Sequence, residues 1–341
     1  MNFFRRNCHF IQSVWTFDDM FRRGIKGIFI FVVATLDTFI FIPVYLITVL
    51  LLRPWRNIVP KLYWTFESCI FRELMFTVGH WSWMSGVKIL EFGDNPEDYV
   101  TERCLVVVNH QSTADVMTLL TTLAQKFPCG GQGREKRHLQ SEFLRAHLER
   151  KYWSRGRNWI MLFPEGGFLY KRLESSKQYA LKNGYPIMDH VTLPRIGAVK
   201  TVIDTCRSYK VEDAFDRQVR YLIDVTIIYE KIDKPLNILD FITGLRSPTT
   251  IRVVYNAQPA SLLPSDEEPL LERMYQIWEQ KEKMMAEYYR TGQIPGHPDK
   301  EARTLNFSYT RFFVQRAVFY SLGYLYFKMS VFLFKSMFGL I

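Results

Sequence analysis

Apolar residues crowd into two stretches of the chain and alternate with polar ones in between. Gly27–Leu52 reads GIFIFVVATLDTFIFIPVYLITVLLL, long enough to cross a bilayer, with Arg22, Arg23, Lys26, Arg53 and Arg56 around its ends. It is too long and too far from the N-terminus for a cleaved leader, and few helices of soluble cores are apolar on every face. Asp37 and Pro43 interrupt it. Each half alone is short for a span, so a re-entrant hairpin competes with a single tilted helix. Basic residues at both ends set no orientation and suit the hairpin slightly better. The second stretch, Ala317–Ile341, is rich in aromatics and carries Lys328 and Lys335 on nearly one helical face. That pattern predicts a helix in the membrane interface with both lysines snorkelling, rather than a clean span.

Between these ends the periodicity switches repeatedly. Lys61–Trp83 is amphipathic and rich in Trp and Phe, which predicts a helix. Val87–Phe92 and Cys104–Asn109 are β-branched runs bounded by turn residues, hence strands, and Asn158–Phe163, Val191–Leu193, Tyr221–Tyr229 and Thr250–Tyr255 complete the set. Helical patterns cover Thr113–Phe127, with Ser112 as N-cap, Glu135–Trp153, and Ser265–Thr291, which opens on the helix-start cluster SDEEP. Such alternation predicts an α/β fold, a mostly parallel sheet with helices on its faces. The chain then divides into a membrane anchor or hairpin at 1–60, an α/β domain at 61–291, and a linker with a membrane-associated helix at 292–341. No internal repeat is visible.

Composition narrows the partners. Of 341 residues, 48% are apolar and 16% aromatic, and the formal net charge is +10. The excess is local: between Lys126 and Lys210 basic residues outnumber acidic ones by more than two to one. A membrane surface, nucleic acid or a polyanionic cofactor such as coenzyme A would each suit a basic face. Nucleic acid is not expected, because no recognised module is present and the basic residues are spread over helices. The five cysteines are scattered without a CxxC pair, so neither a zinc site nor a disulfide framework is indicated. A soluble part facing a reducing compartment fits best.

Candidate chemistry begins where CLVVVN ends in His110, with Asp115 five residues on. On one helix a five-residue step rotates about 500°, leaving the side chains roughly 140° apart. They meet only if His110 sits in the turn after the strand and Asp115 in the first helical turn. A carboxylate on one ring nitrogen fixes the tautomer and raises the basicity of the other, giving a general base that needs no covalent nucleophile. A His and an Asp at this spacing are, by themselves, more often structural. Two further motifs follow: FPEGGF, Phe163–Phe168, after the strand NWIML, and VTLPRIGA, Val191–Ala198, an extended run ending at Pro194. Gly166 and Gly167 permit close backbone approach beside the Glu165 carboxylate, although FPEGGF alone is more often a plain turn.

Taken in order and spacing, NHQSTAD, FPEGGF and VTLPRIGA behind an apolar N-terminal segment resemble the glycerolipid acyltransferase (PlsC-like) family, over about Val87 to Tyr255. The wording of the motifs looks most like its lysophosphatidylglycerol acyltransferase branch. The resemblance implies a fold like that of glycerol-3-phosphate acyltransferase. It also implies transfer of an acyl group from acyl-CoA to a lysophospholipid during phospholipid remodelling. His110 would be the base and Asp115 its partner; Glu165, Gly166 and Gly167 would help bind the acceptor, and Pro194 would lie near acyl-CoA. Most relatives carry an Arg where this chain has Phe168, and Arg172 or Lys171 could supply that charge. No cofactor or metal is implied beyond acyl-CoA as co-substrate, and the expected place is the endoplasmic reticulum membrane with the catalytic domain cytosolic. On that topology the sequon at Asn306 stays silent.

One departure is large. Relatives have a further strand and a glycine-aromatic-arginine element between the His motif and FPEG. Here Val116–Arg157 holds two helices and the loop CGGQGR, with no β-branched run. The chain reads as shortened by tens of residues, with Arg134 as the one remnant of the element. The alternative function is therefore a non-catalytic, membrane-bound binder of lipid or acyl-CoA on the same fold.

Overall fold

The computed structural model describes residues 2–124, 126, 132–133, 140–152, 157–207, 218–230, 235–244 and 249–339. Arg134 lies outside the described residues. Among the described residues ten α-helices and seven strands follow in chain order: α1 (Asn2–Leu51), α2 (Trp55–Ile58), α3 (Pro60–Ser85), β1 (Lys88–Gly93), β2 (Cys104–Val108), α4 (Ala114–Ala124), β3 (Gln132–Gly133), α5 (Gln140–His147), β4 (Trp159–Leu162), α6 (Leu169–Asn183), α7 (Gly197–Arg207), β5 (Tyr221–Tyr229), α8 (Ile238–Thr243), β6 (Thr250–Pro259), α9 (Glu267–Thr291), β7 (Arg303–Thr304) and α10 (Tyr309–Met337).

The strands form one sheet in the order β3-β4-β2-β5-β6-β1-β7. Parallel pairing joins β3 to β4, β4 to β2, β2 to β5 and β1 to β6; β5–β6 and β1–β7 are antiparallel. The α/β, mostly parallel sheet expected from the sequence is present. Its central strands are buried on both faces, which is why they read as continuous apolar runs. Helices α5, α6, α7 and α9 cover one face around Leu105, Val202 and Trp278. On the other face α4 and α8 pack around Val106, Leu119 and Phe241, and α3 lies against α4.

Three expectations change. Val191–Leu193 is not a strand: its N–H groups go to side chains, Val191 to Glu282, Thr192 to Glu165 and Leu193 to Ser176, so none is left for a ladder. Conversely, the stretch expected to hold no strand contains β3, where Gln132 and Gly133 pair with Trp159 and Ile160 of β4. Finally, α1 runs unbroken through Asp37 and Pro43, so there is no hairpin inside Gly27–Leu52. The chain turns back at α2 instead, and α3 returns antiparallel: Tyr45 bonds Glu67 at 2.6 Å and Trp81 bonds Asp37 at 2.9 Å.

Helix α10 lies parallel to α1, with Phe41 stacked on Phe319 at 4.2 Å between ring centroids and Thr48 bonded to Tyr326 at 2.9 Å. The tail, expected as a membrane-associated helix, is a helix from Tyr309 that packs on α1. Phe21–Leu51 and Tyr309–Met337 are both long and apolar enough to cross a bilayer, and their outward faces are exposed Phe, Leu and Val. The chain is a membrane protein. Cys69 on α3 is disulfide-bonded, where the sequence carried no pairing signal.

Candidate active site

After the ladder of β2 ends at Val108, Asn109 and Gln111 continue the attachment to β5 with side chains. Asn109 Oδ1 accepts from Ile227 N at 2.8 Å, and its Nδ2 and Gln111 Nε2 donate to Ile227 O at 3.0 and 2.6 Å. His110, between them, is thus fixed at a strand end and turned away from the ladder. Ser112 Oγ accepts from Ala114 N at 3.1 Å and caps α4, placing Asp115 in its first turn. That is the strand-then-cap geometry the spacing required. His110 Nδ1 lies 2.8 Å from Asp115 Oδ2, with the carboxylate fully buried and the imidazole 13% exposed.

Two groups besides His110 hold the carboxylate. Ser112 N donates to Oδ2 at 2.9 Å, and the Tyr229 hydroxyl, at the end of β5, donates to Oδ1 at 2.6 Å. With Nδ1–H committed to Asp115, Nε2 carries the lone pair that can meet a substrate proton. Phe163 and Phe168 pack on the ring at centroid distances of 4.2 and 4.4 Å and limit water around it. Phe168 stacks on Tyr170, and Lys171 Nζ lies 5.9 Å from its centroid.

The turn FPEGGF sits directly beside this pair. Gly166 has φ +72°, a left-handed conformation a side chain would strain, and its N–H closes the turn onto Phe163 O at 3.1 Å. His110 O accepts from Leu169 N at 2.8 Å, so α6 starts against the histidine. Glu165 is buried with both oxygens engaged. His110 N and Trp278 Nε1 donate to Oε1, each at 3.2 Å; Thr192 donates to Oε2 from N at 3.3 Å and Oγ1 at 3.0 Å. Burial outweighs these bonds and pushes its carboxyl up to about 7. Pro194 is buried next to the turn, since Arg195 N bonds Pro164 O at 2.9 Å. Gly167 is half-buried in the turn, and half-buried Arg172 and exposed Lys171 lie in the first turn of α6. The structure therefore brings His110, Asp115, Glu165, Gly166, Gly167 and Pro194 together, with Arg172 on the adjoining helix.

Sequence reasoning missed the groups that other elements deliver. Tyr229, Thr192 and Trp278 come from β5, the extended stretch before α7, and α9. Below Trp278, buried Lys281 pairs with Asp224 and donates to Val225 O at 2.6 Å and Thr226 Oγ1 at 3.2 Å. Burial lowers the lysine's pKa and raises the carboxyl's, against their mutual attraction. Polar residues inside the apolar runs of β5 and α9 were the one available signal, and they carry no spacing that names a partner.

No family model matches the chain, and no solved structure does. Curated relatives do. Acyl-CoA:lysophosphatidylglycerol acyltransferase 1 of Mus musculus is 31% identical over 352 residues, covering 91% of this chain and 94% of its own. The Homo sapiens protein of that name is 30% identical over 356 residues, 92% of this chain and 96% of its own. The 1-acyl-sn-glycerol-3-phosphate acyltransferase epsilon of Mus musculus is 22% identical over 76% of this chain and 77% of its own. The first two alignments are longer than the 341 residues here, so those relatives contain residues with no counterpart in this chain.

Proposed function

Because the chain belongs to the glycerolipid acyltransferase family, we propose that it transfers an acyl group from acyl-CoA to the free hydroxyl of a lysophospholipid during phospholipid remodelling. Lysophosphatidylglycerol is the first acceptor to test. The observation that carries the mechanism is the His110–Asp115 bond of 2.8 Å, with the carboxylate held independently by Ser112 and Tyr229. His110 Nε2 takes the hydroxyl proton as the acceptor oxygen attacks the thioester carbonyl carbon. Asp115 stabilises the imidazolium that forms. The tetrahedral oxyanion collapses, the carbon–sulfur bond breaks, and the leaving thiolate takes the proton back from Nε2. No covalent enzyme intermediate is needed.

The remaining residues have supporting parts. Glu165 ties the His110 backbone to Thr192 and Trp278, holding the two strand-end turns at a fixed separation. Gly166 and Gly167 leave room for the acceptor's glycerol, Arg172 supplies charge for its headgroup, and Pro194 borders the acyl-CoA side. Arg134, outside the described residues, belongs to the same acceptor site in this reading. The seat is the endoplasmic reticulum membrane with the catalytic domain cytosolic.

The test uses purified protein in nanodiscs with radiolabelled oleoyl-CoA and a panel of lysophospholipids. Label is expected in diacyl product, and His110→Ala should lower turnover by at least ~10²-fold, the scale of general-base catalysis. Acyl-CoA binding without turnover in the wild type would instead establish a non-catalytic binder. Undiminished turnover in His110→Ala would rule out the mechanism.

A further inference from the structure

Tyr229 ends β5 with its side chain 1% exposed, and its hydroxyl reaches Asp115 Oδ1 at 2.6 Å. The direction of that bond is fixed by the surroundings. Ser112 Oγ lies 3.4 Å away, but its proton goes to Leu236 O and its lone pair to Ala114 N. The phenol proton is therefore left for the carboxylate. Burial raises the Tyr229 pKa well above its ordinary value, so the hydroxyl stays a donor through the working pH range. The strand that carries it pairs with β6 at Tyr229 itself, opposite Ile251, and with β2 over Tyr221–Val225, which fixes the backbone that holds the ring.

We propose that Tyr229 is a positioning residue for acyl transfer, holding the Asp115 carboxylate in line with His110 and, by drawing charge from it, setting the basicity of His110 Nε2. This rests on the reading of His110 as general base. A carboxylate that shares its charge with a phenol stabilises the imidazolium less than one that does not. The other titratable groups around the imidazole, among the described residues, are Glu165 beneath its backbone N–H, Tyr170 and Lys171 beside the Phe168 ring, Arg172 in the first turn of α6, and beyond Trp278 the Lys281–Asp224 pair, in which the two charges balance. Of these neighbours and Asp115, Asp115 is the one bonded to the imidazole ring itself, at 2.8 Å.

Sign follows from charge. Removing the phenol returns charge to Asp115, strengthens its hold on the imidazolium and moves the acid limb of kcat/KM to higher pH. A more acidic phenol moves it to lower pH. The experiment compares wild type, Tyr229→Phe, and 3-fluorotyrosine incorporated at position 229, in full-length protein in nanodiscs, with His110→Ala as reference. Tyr229→Phe should lower kcat about tenfold, the equivalent of one hydrogen bond to a charged group, with KM for both substrates within about twofold. Its acid limb should rise while that of the fluorotyrosine protein falls. Limbs that stay put, or move the same way, overturn the proposal and leave Tyr229 a packing residue. The fluorotyrosine protein keeps ring and hydroxyl, so it carries the test if Tyr229→Phe does not fold. Should wild type show no turnover, or His110→Ala retain it, the acyl-transfer reading fails separately. NMR titration of labelled His110 then reads the same opposed shifts without catalysis.

Discussion

Glu165 receives four hydrogen bonds and still has its carboxyl pushed up to about 7, from a value of 4.5 when free of the fold, because burial penalises the charged form more than the donors reward it. The folded chain keeps this proton over a window in which the unfolded chain has released it. Stability from this group is therefore full below about pH 4.5, falls as pH rises through about 7, and is level above. Glu165→Gln removes the titration. Melting curves in detergent should show wild type losing ground to Glu165→Gln between pH 5 and 7.5 and running parallel above about 8; parallel curves throughout would refute the assignment. Residues of the site were legible in the sequence where their partner is near in the chain. His110 and Asp115 lie within one strand-to-helix turn, and Gly166 announces its turn by its type. Tyr229, Thr192 and Trp278 were not, because the sheet and α9 bring them from far along the chain, and nothing local in VTIIY or QIW names an aspartate or a glutamate as partner.

Elements whose stability is set by their own residues were readable; those set by a neighbour were not. Strands β2 and β5 declare themselves as apolar runs because helices cover both faces, whereas Val191–Leu193 has the same composition and spends its N–H groups on side chains. Helix α1 looked broken at Asp37 because the sequence hides what satisfies that carboxylate. Tyr320 donates to it at 2.9 Å, Trp81 at 2.9 Å, and Arg316 forms the ion pair, joining α1, α3 and α10. Gly323 lets α10 approach, since a Cβ there would lie 3.0 Å from Ile40 Cγ2. Asp37→Leu leaves the buried guanidinium alone and should cost about 3–5 kcal/mol, while Asp37→Leu with Arg316→Leu recovers much of that. Thermal unfolding in detergent checks both, and a double variant no better than Asp37→Leu refutes the pairing. Gly323→Leu should lower the melting temperature without touching the catalytic domain's chemistry.

At the scale of the whole molecule, the register of the sheet sets where catalysis happens relative to the bilayer. Tyr229 pairs with Ile251, and Ile251 with Ile89, so the start of β1 lies at the end of the sheet that carries His110. Helix α3 arrives at that same end, and α1 packs there on α8, where Ile30 approaches Gly244. The two apolar helices leave together from the catalytic end, because α10 runs parallel to α1 and only α3 comes back. With α1 and α10 in the bilayer, His110 lies at the end of the sheet from which they depart. Single cysteines test this arrangement in sealed microsomes with a membrane-impermeant maleimide. Gly24→Cys, near the root of α1, and Gln293→Cys, in the loop after α9, should label from outside. Asn57→Cys in the turn between α1 and α3, and Ser336→Cys near the end of α10, lie at the far end of the helices and should label only after detergent is added. Labelling of Asn57→Cys together with Gly24→Cys in sealed vesicles would mean that α1 lies along the surface, and the parallel, inward-directed pair would be wrong.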